Sequence, residues 1–226
     1  MWFCHGFCYA LWFVLSGEAA ATILLTNRIQ PVIPEFNHSH VLPPFLGSDP
    51  TVAAEVSPYR TSLSELMKRF AHLQGRRQLL AGLFNYRADL AKLGFVRGFQ
   101  WLDGSFSEDV ETSQNRSPVN IDLVTFVYSP SGMASDDVLK LMNANPTLFV
   151  ADLAKAAYGC DAFVLPLDKS PENLMKRATY YFNLFSHRRG DHVWKGLLHI
   201  PLESDDAVAQ ELLHNSNSGE NNAATA

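Results

Sequence analysis

The feature that most limits the fold is the run IDLVTFVY at residues 121–128. It is β-branched and aromatic, and after its second residue it lacks the polar–apolar alternation of a half-exposed strand. Such a run is typical of a strand buried on both faces, and it places the chain among the α/β proteins. The segments around it read as helices and further strands. Ser62 and Glu65 form a capping box, and Leu63, Leu66, Met67 and Phe70 follow at helical spacing. A second helix is expected over residues 76–93, with Leu79, Leu80, Leu83, Phe84, Tyr86, Leu90 and Leu93 on its apolar side and Gly94 as its stop. Strands are expected at 95–102 (broken by Gly98), 161–167 and 194–202. Helices are expected from Ser135 through Met142, from Asn145-Pro146 towards Gly159, from Ser170-Pro171-Glu172 to about His187, and from Ser204 to Leu213.

The expected architecture is therefore α/β (α+β): a small mixed sheet with helices on one face, preceded by a helical hairpin. Residues 61–214 are expected to form this domain. Residues 26–60 carry Pro31, Pro34, Pro43, Pro44, Pro50 and Pro58. Proline fixes φ and drives its predecessor out of the helical region, so this stretch reads as an extended arm, anchored by Val41, Leu42, Phe45 and Leu46. The tail NSNSGENNAATA, from residue 215 on, has the composition of a disordered segment.

The formal net charge is −5 and Lys and Arg form no block, which argues against an extended nucleic-acid face. Two of the three cysteines, Cys4 and Cys8, lie in the apolar stretch MWFCHGFCYALWFVL. The rest of the chain holds only Cys160, which reads as a small buried hydrophobe; a single thiol suits a reducing, cytoplasmic setting. Cys4, His5 and Cys8 have no second ligand pair at finger spacing, so no zinc site is expected there. The first 25 residues are shorter in apolar length than the ~20 residues of a membrane span and lack the basic residues of a signal peptide. They read as an upstream extension, with a secretory signal ending near Ala19-Ala20-Ala21 as the alternative.

The chemically informative passage is Gln100-Trp101-Leu102-Asp103-Gly104-Ser105-Phe106, followed by Asn120-Ile121-Asp122-Leu123-Val124. A strand ends in Gly104-Ser105, a polar segment follows, and the next strand opens with a carboxylate. Glycine lets the backbone approach a phosphate closely, serine adds a hydroxyl, and a strand-borne carboxylate can hold Mg²⁺ or Mn²⁺ against a triphosphate. This arrangement resembles the polymerase-beta-like nucleotidyltransferases. Their signature is Gly-Ser, then Asp-x-Asp on the next strand, then a third carboxylate on a later one. More closely, the run VLPPFLG…SPYR…RGFQWLDGSFSEDVE…DLVTF…LFSHRR…WKG resembles a family of uncharacterised bacterial proteins with a nucleotidyltransferase-like core, over residues 41–213.

The resemblance implies that Gly104 and Ser105 bind the triphosphate and that Asp122 is the second Asp of Asp-x-Asp. Asp161 is then the third carboxylate, as metal ligand or as base for an acceptor hydroxyl. The first Asp is replaced by Asn120, which offers one neutral oxygen where a carboxylate would bridge two cations. The acidic stretch Glu108, Asp109, Glu111 suits a solvated helix start but would repel a docked triphosphate; alternatively, Glu108 or Asp109 replaces the ligand missing at Asn120. Ser186-His187-Arg188-Arg189 and Lys195 form a cationic cluster, from which Arg188 and Lys195 are expected to contact phosphate. The function expected is Mg²⁺-dependent transfer of a nucleoside monophosphate from a nucleoside triphosphate to a hydroxyl acceptor. The alternative, favoured by Asn120, is a nucleotide-binding or protein-interaction module of the same fold without turnover.

Overall fold

The computed structural model describes residues 33–223, so the N-terminal extension and the start of the arm lie outside the described residues. Five strands form one mixed sheet: β1 (Tyr59–Arg60), β2 (Gly98–Asp103), β3 (Ile121–Val127), β4 (Cys160–Pro166) and β5 (Leu198–Pro201). Their order is β1-β5-β2-β3-β4. β2 runs antiparallel to both β3 and β5, while β3 pairs with β4, and β1 with β5, in parallel. Among the described residues, eight α-helices surround it: α1 (Leu63–Phe70), α2 (Gln74–Lys92), α3 (Val110–Gln114), α4 (Ser135–Ala144), α5 (Pro146–Phe149), α6 (Ala151–Tyr158), α7 (Pro171–Phe185) and α8 (Asp206–Ala223).

The local rules hold at α1, where the Glu65 amide donates to the Ser62 hydroxyl at 3.3 Å and the four expected apolar residues are buried. Elsewhere tertiary packing adjusts the boundaries. The strand expected from residue 95 begins at Gly98, where pairing with Val127 starts, and a Cβ at 98 would lie 2.0 Å from the Phe126 carbonyl oxygen on the neighbouring strand. The helix expected between Asn145 and Gly159 divides into α5 and α6 at Val150, whose backbone is extended. The arm contributes a short edge strand, β1, in addition to wrapping. Val41 and Leu42 are its fully buried anchors, while Phe45 packs on Trp194 at 5.8 Å and Leu46 is exposed. The backbone stays helical from the last expected helical residue, 213, through Ala223, where disorder was expected. Once a helix is nucleated, each added residue gains one hydrogen bond at little further ordering cost, which lets α8 run on into a polar sequence.

The expectation of helices on one face is corrected by the packing. Along β3, Ile121, Leu123 and Val127 face a large core formed with α1, α2, α5 and α6, whereas Val124 and Phe126 face a second core closed by α7. The sheet is therefore covered on both sides, as the run 121–128 itself requires. The larger core contains a buried polar chain: Arg87 donates to Gln100 at 2.7 Å, and Gln100 to Thr125 at 3.0 Å. Arg87 also holds Asp206 at the start of α8 and the Pro201 and Leu202 carbonyls. It thereby ties α2, the sheet and α8 together, with each buried donor satisfied.

Candidate functional site

Side chains directly opposite one another in a sheet point to the same face. In the observed register Asp103 on β2 stands opposite Asp122 on β3, and Asp122 stands opposite Asp161 on β4. The three carboxylates form a row across the end of the sheet, on the α7 side. They open into a cleft of about 680 Å³, walled by the Gly104-Ser105 turn, by residues 113–120 and by the segment that follows α7. Gly104, Ser105, Glu108, Asn120, Asp122, Asp161, Arg188 and Lys195, every site residue expected from the sequence, line this one cleft.

The glycine at 104 has a steric reason. Its φ is +78°, and a Cβ there would lie 2.7 Å from a carboxylate oxygen of Asp122. Only glycine both takes this backbone conformation without strain and lets the turn lie directly against the aspartate. Residues 104–107 form a 3₁₀ turn fixed from below. Lys195 is buried and its ammonium sits 2.6 Å from Glu108, 3.2 Å from Asp103 and 3.1 Å from the Gly104 carbonyl oxygen. The Ser107 hydroxyl donates to Asp103 at 2.7 Å. Arg76, also buried, donates to the Phe106 and Glu108 carbonyls and pairs with Glu111.

These contacts account for the acidic stretch after the turn. Glu108 is taken by Lys195, Glu111 by Arg76, and Asp109 caps α3 while meeting His40 at 3.1 Å. Two of the three charges that looked repulsive to a triphosphate, Glu108 and Glu111, are thus paired with cations within the fold. The same contacts correct two expected roles. Glu108, whose Oε1 is the acceptor for Lys195, is engaged in a buried ion pair rather than presented to a metal ion. Lys195, enclosed by two carboxylates and a carbonyl, is a prop beneath the turn rather than a phosphate contact. Arg188 also has partners of its own: Asp191 through two nitrogens, and the Ser39 carbonyl at 2.7 Å.

Asp122 and Asp161 differ from this buried group. The Asn120 amide donates to Asp122 Oδ1 at 2.5 Å. Burial holds the Asp122 carboxyl above the usual carboxylate range; the Asn120 hydrogen bond works against this, the Asp161 charge reinforces it, and Arg189 and Lys195 oppose it. Among the described residues, the Asp161 side chain pairs with Lys155, at 3.5 Å on the cleft surface. Among the described residues, no group of three or more His, Cys, Asp or Glu side chains is arranged to hold a metal ion. Two like-charged carboxylates side by side nonetheless fit a hard cation of the Mg²⁺ type, which is held by one or two carboxylates and completes its shell with water and substrate phosphates. His187 lines the cleft and bonds to the Ser186 hydroxyl and the Asn183 carbonyl, while His199 stacks on Phe99 at 4.5 Å. Cys160 is fully buried, and burial pushes its thiol up to about 12.

The sequence did not single out Asp103, Arg116 or Lys155 as site residues. Asp103 was visible beside Gly104, but only the strand register shows that it belongs to the same row as Asp122. Residues 34–201 match the family of unknown function DUF6932. The chain belongs to that family. Neither the curated proteins nor the solved structures contain a match. Among the described residues no helix is long and apolar enough to cross a membrane.

Proposed function

We propose that the cleft binds a nucleoside triphosphate with Mg²⁺ or Mn²⁺ and transfers its nucleoside monophosphate to a hydroxyl acceptor, as the resemblance to polymerase-beta-like nucleotidyltransferases implies. The observation that carries this reading is the in-register pair Asp122–Asp161, set directly against the Gly104-Ser105 turn. In this reading Gly104 and Ser105 receive the triphosphate, since the missing Cβ and the serine hydroxyl leave room and a donor for phosphate oxygens. Asp122 would hold the cation, with Asn120 oriented by its bond to Asp122 and Asp161 beside it. The cation, when bound, would neutralise charge on the triphosphate. Asp161 takes the acceptor hydroxyl's proton, the hydroxyl oxygen bonds to the α-phosphorus, and the bond from that phosphorus to the α–β bridging oxygen breaks. Pyrophosphate leaves with the electron pair, and Asp161 passes its proton to water.

The test is incubation of the protein with each labelled nucleoside triphosphate and Mg²⁺ or Mn²⁺, beside Asp122→Asn. Removing one charge at ion-contact distance is expected to lower transfer about a thousandfold, from roughly 4 kcal/mol of lost attraction at an effective dielectric of 20. A fully active Asp122→Asn protein would dispose of the mechanism. A second reading, favoured by the neutral Asn120 beside Asp122, is a nucleotide-binding module without turnover. It predicts a nucleotide-dependent rise in melting temperature while the nucleotide remains intact.

A further inference from the structure

Five cationic side chains follow α7 or line the other walls of the cleft, Lys155 among them with Asp161 at 3.5 Å, and the structure separates them by what already holds them. Lys195 is enclosed by Asp103 and Glu108, and Arg188 by Asp191 and the Ser39 carbonyl. Arg116 bonds to Gln114 and to the Ser117 carbonyl, within its own loop. Arg189 is exposed, lines the cleft, and has no hydrogen bond or ion pair among the described residues. Arg189 and Asp122 line the same cleft and make no ion pair with each other.

The backbone that carries Arg189 is held firmly. The Arg188 amide donates to the Val193 carbonyl at 2.9 Å, the His192 amide to the Arg188 carbonyl at 3.1 Å, and the Lys195 amide to the Ser186 carbonyl at 2.8 Å. The Arg188–Asp191 pair closes this turn from the side-chain direction, and Arg188 also ties it to the arm. A guanidinium without a partner, on a turn braced from both flanks, is arranged to meet an anion that comes to it. Little side-chain partnering has to be broken on binding.

Resting on the nucleotide reading above, we propose that Arg189 is the residue that binds the polyphosphate of the cleft's ligand, and that the Arg188–Asp191 clamp serves to present it. The ligand class is an anion with a chain of phosphates. Its near end would lie between Asp122, through a shared cation, and Arg189, whose planar fork suits two phosphate oxygens at once.

The experiment is calorimetric titration of the full chain with inorganic tripolyphosphate, and with each of the four common nucleoside triphosphates, in Mg²⁺. Wild type, Arg189→Ala and Arg189→Lys are compared at two salt concentrations. The expected result is a tenfold to hundredfold loss of affinity in Arg189→Ala, the usual weight of a charged hydrogen-bonded contact. A weaker salt dependence and partial retention in Arg189→Lys should accompany it, with an unchanged melting temperature, since the side chain is exposed. If wild type binds and Arg189→Ala binds equally well, the assignment of Arg189 is overturned while the nucleotide reading stands. If wild type binds none of the five ligands, the nucleotide reading is overturned, and the assignment falls with it.

Discussion

Asp103 and Asp122 stand opposite each other on adjacent antiparallel strands, on the same face of the sheet and at the same end, yet they lie in two different environments. Asp103 is buried with a lysine ammonium, a serine hydroxyl and a second ion-paired carboxylate around it. Asp122 lies one strand further on, held by an amide and next to another carboxylate, and it opens into the cleft. The comparison shows how a sheet can supply carboxylates for two purposes from one row. The one given a buried cation fixes the Gly104-Ser105 turn; those left without one face the cleft.

The largest effect that would break or sharpen this comparison is expected at Lys195. Lys195→Met leaves Asp103 and Glu108 buried without their cation and should lower folding stability by about 3–5 kcal/mol, read as the urea midpoint. Adding Asp103→Asn and Glu108→Gln to that variant should restore most of the loss, because buried charges would no longer be stranded. A Lys195→Met protein as stable as wild type would mean that the cluster does not hold the turn.

A smaller effect is expected from Gly104→Ala. The left-handed backbone costs a Cβ-bearing residue about 1–2 kcal/mol. The new methyl would also push on the Asp122 carboxylate, and a displacement on the order of 1 Å should reduce transfer or nucleotide affinity about a hundredfold. Binding equal to wild type would show that the turn and Asp122 do not act together.

The smallest expected effect is on pH dependence. Burial pushes Asp103 up to about 6, with the Lys195 charge opposing. A carboxyl raised in the folded state binds more protons there than in the unfolded chain. Its contribution is fully present below the unfolded value near 3.8 and is lost as pH rises through about 6. Urea midpoints should therefore fall between pH 4 and 6 by an amount that Asp103→Asn removes; an identical slope in that variant would locate the proton uptake elsewhere.

Much of this site was legible from residue order. Gly104, Ser105, Asp122 and Asp161 were recognisable because a turn after one strand and carboxylates heading the next two are local patterns, and all of them reach one cleft. What escaped was pairing. Nothing in the sequence says that Lys195 approaches Gly104 from 91 residues away, that Arg76 takes Glu111, or that Arg188 closes on Asp191 while Arg189 stays open. The acidic stretch after the turn looked hostile to phosphate for the same reason: its neutralising partners come from α2 and from the segment before β5. The coverage of the sheet on both faces was implied by the run 121–128, but α7 became its second cover only when the tertiary packing was seen.

The sequence by itself determined the kinds of elements and most of their positions, because helix caps, apolar periodicity and glycine stops act over a few residues. It also placed a Gly-Ser turn and carboxylates at the strand ends. The tertiary structure alone decided which of those charges are free. An ion's availability depends on what is packed within a few ångströms of it, and in this protein those neighbours arrive from distant parts of the chain through strand register and helix packing.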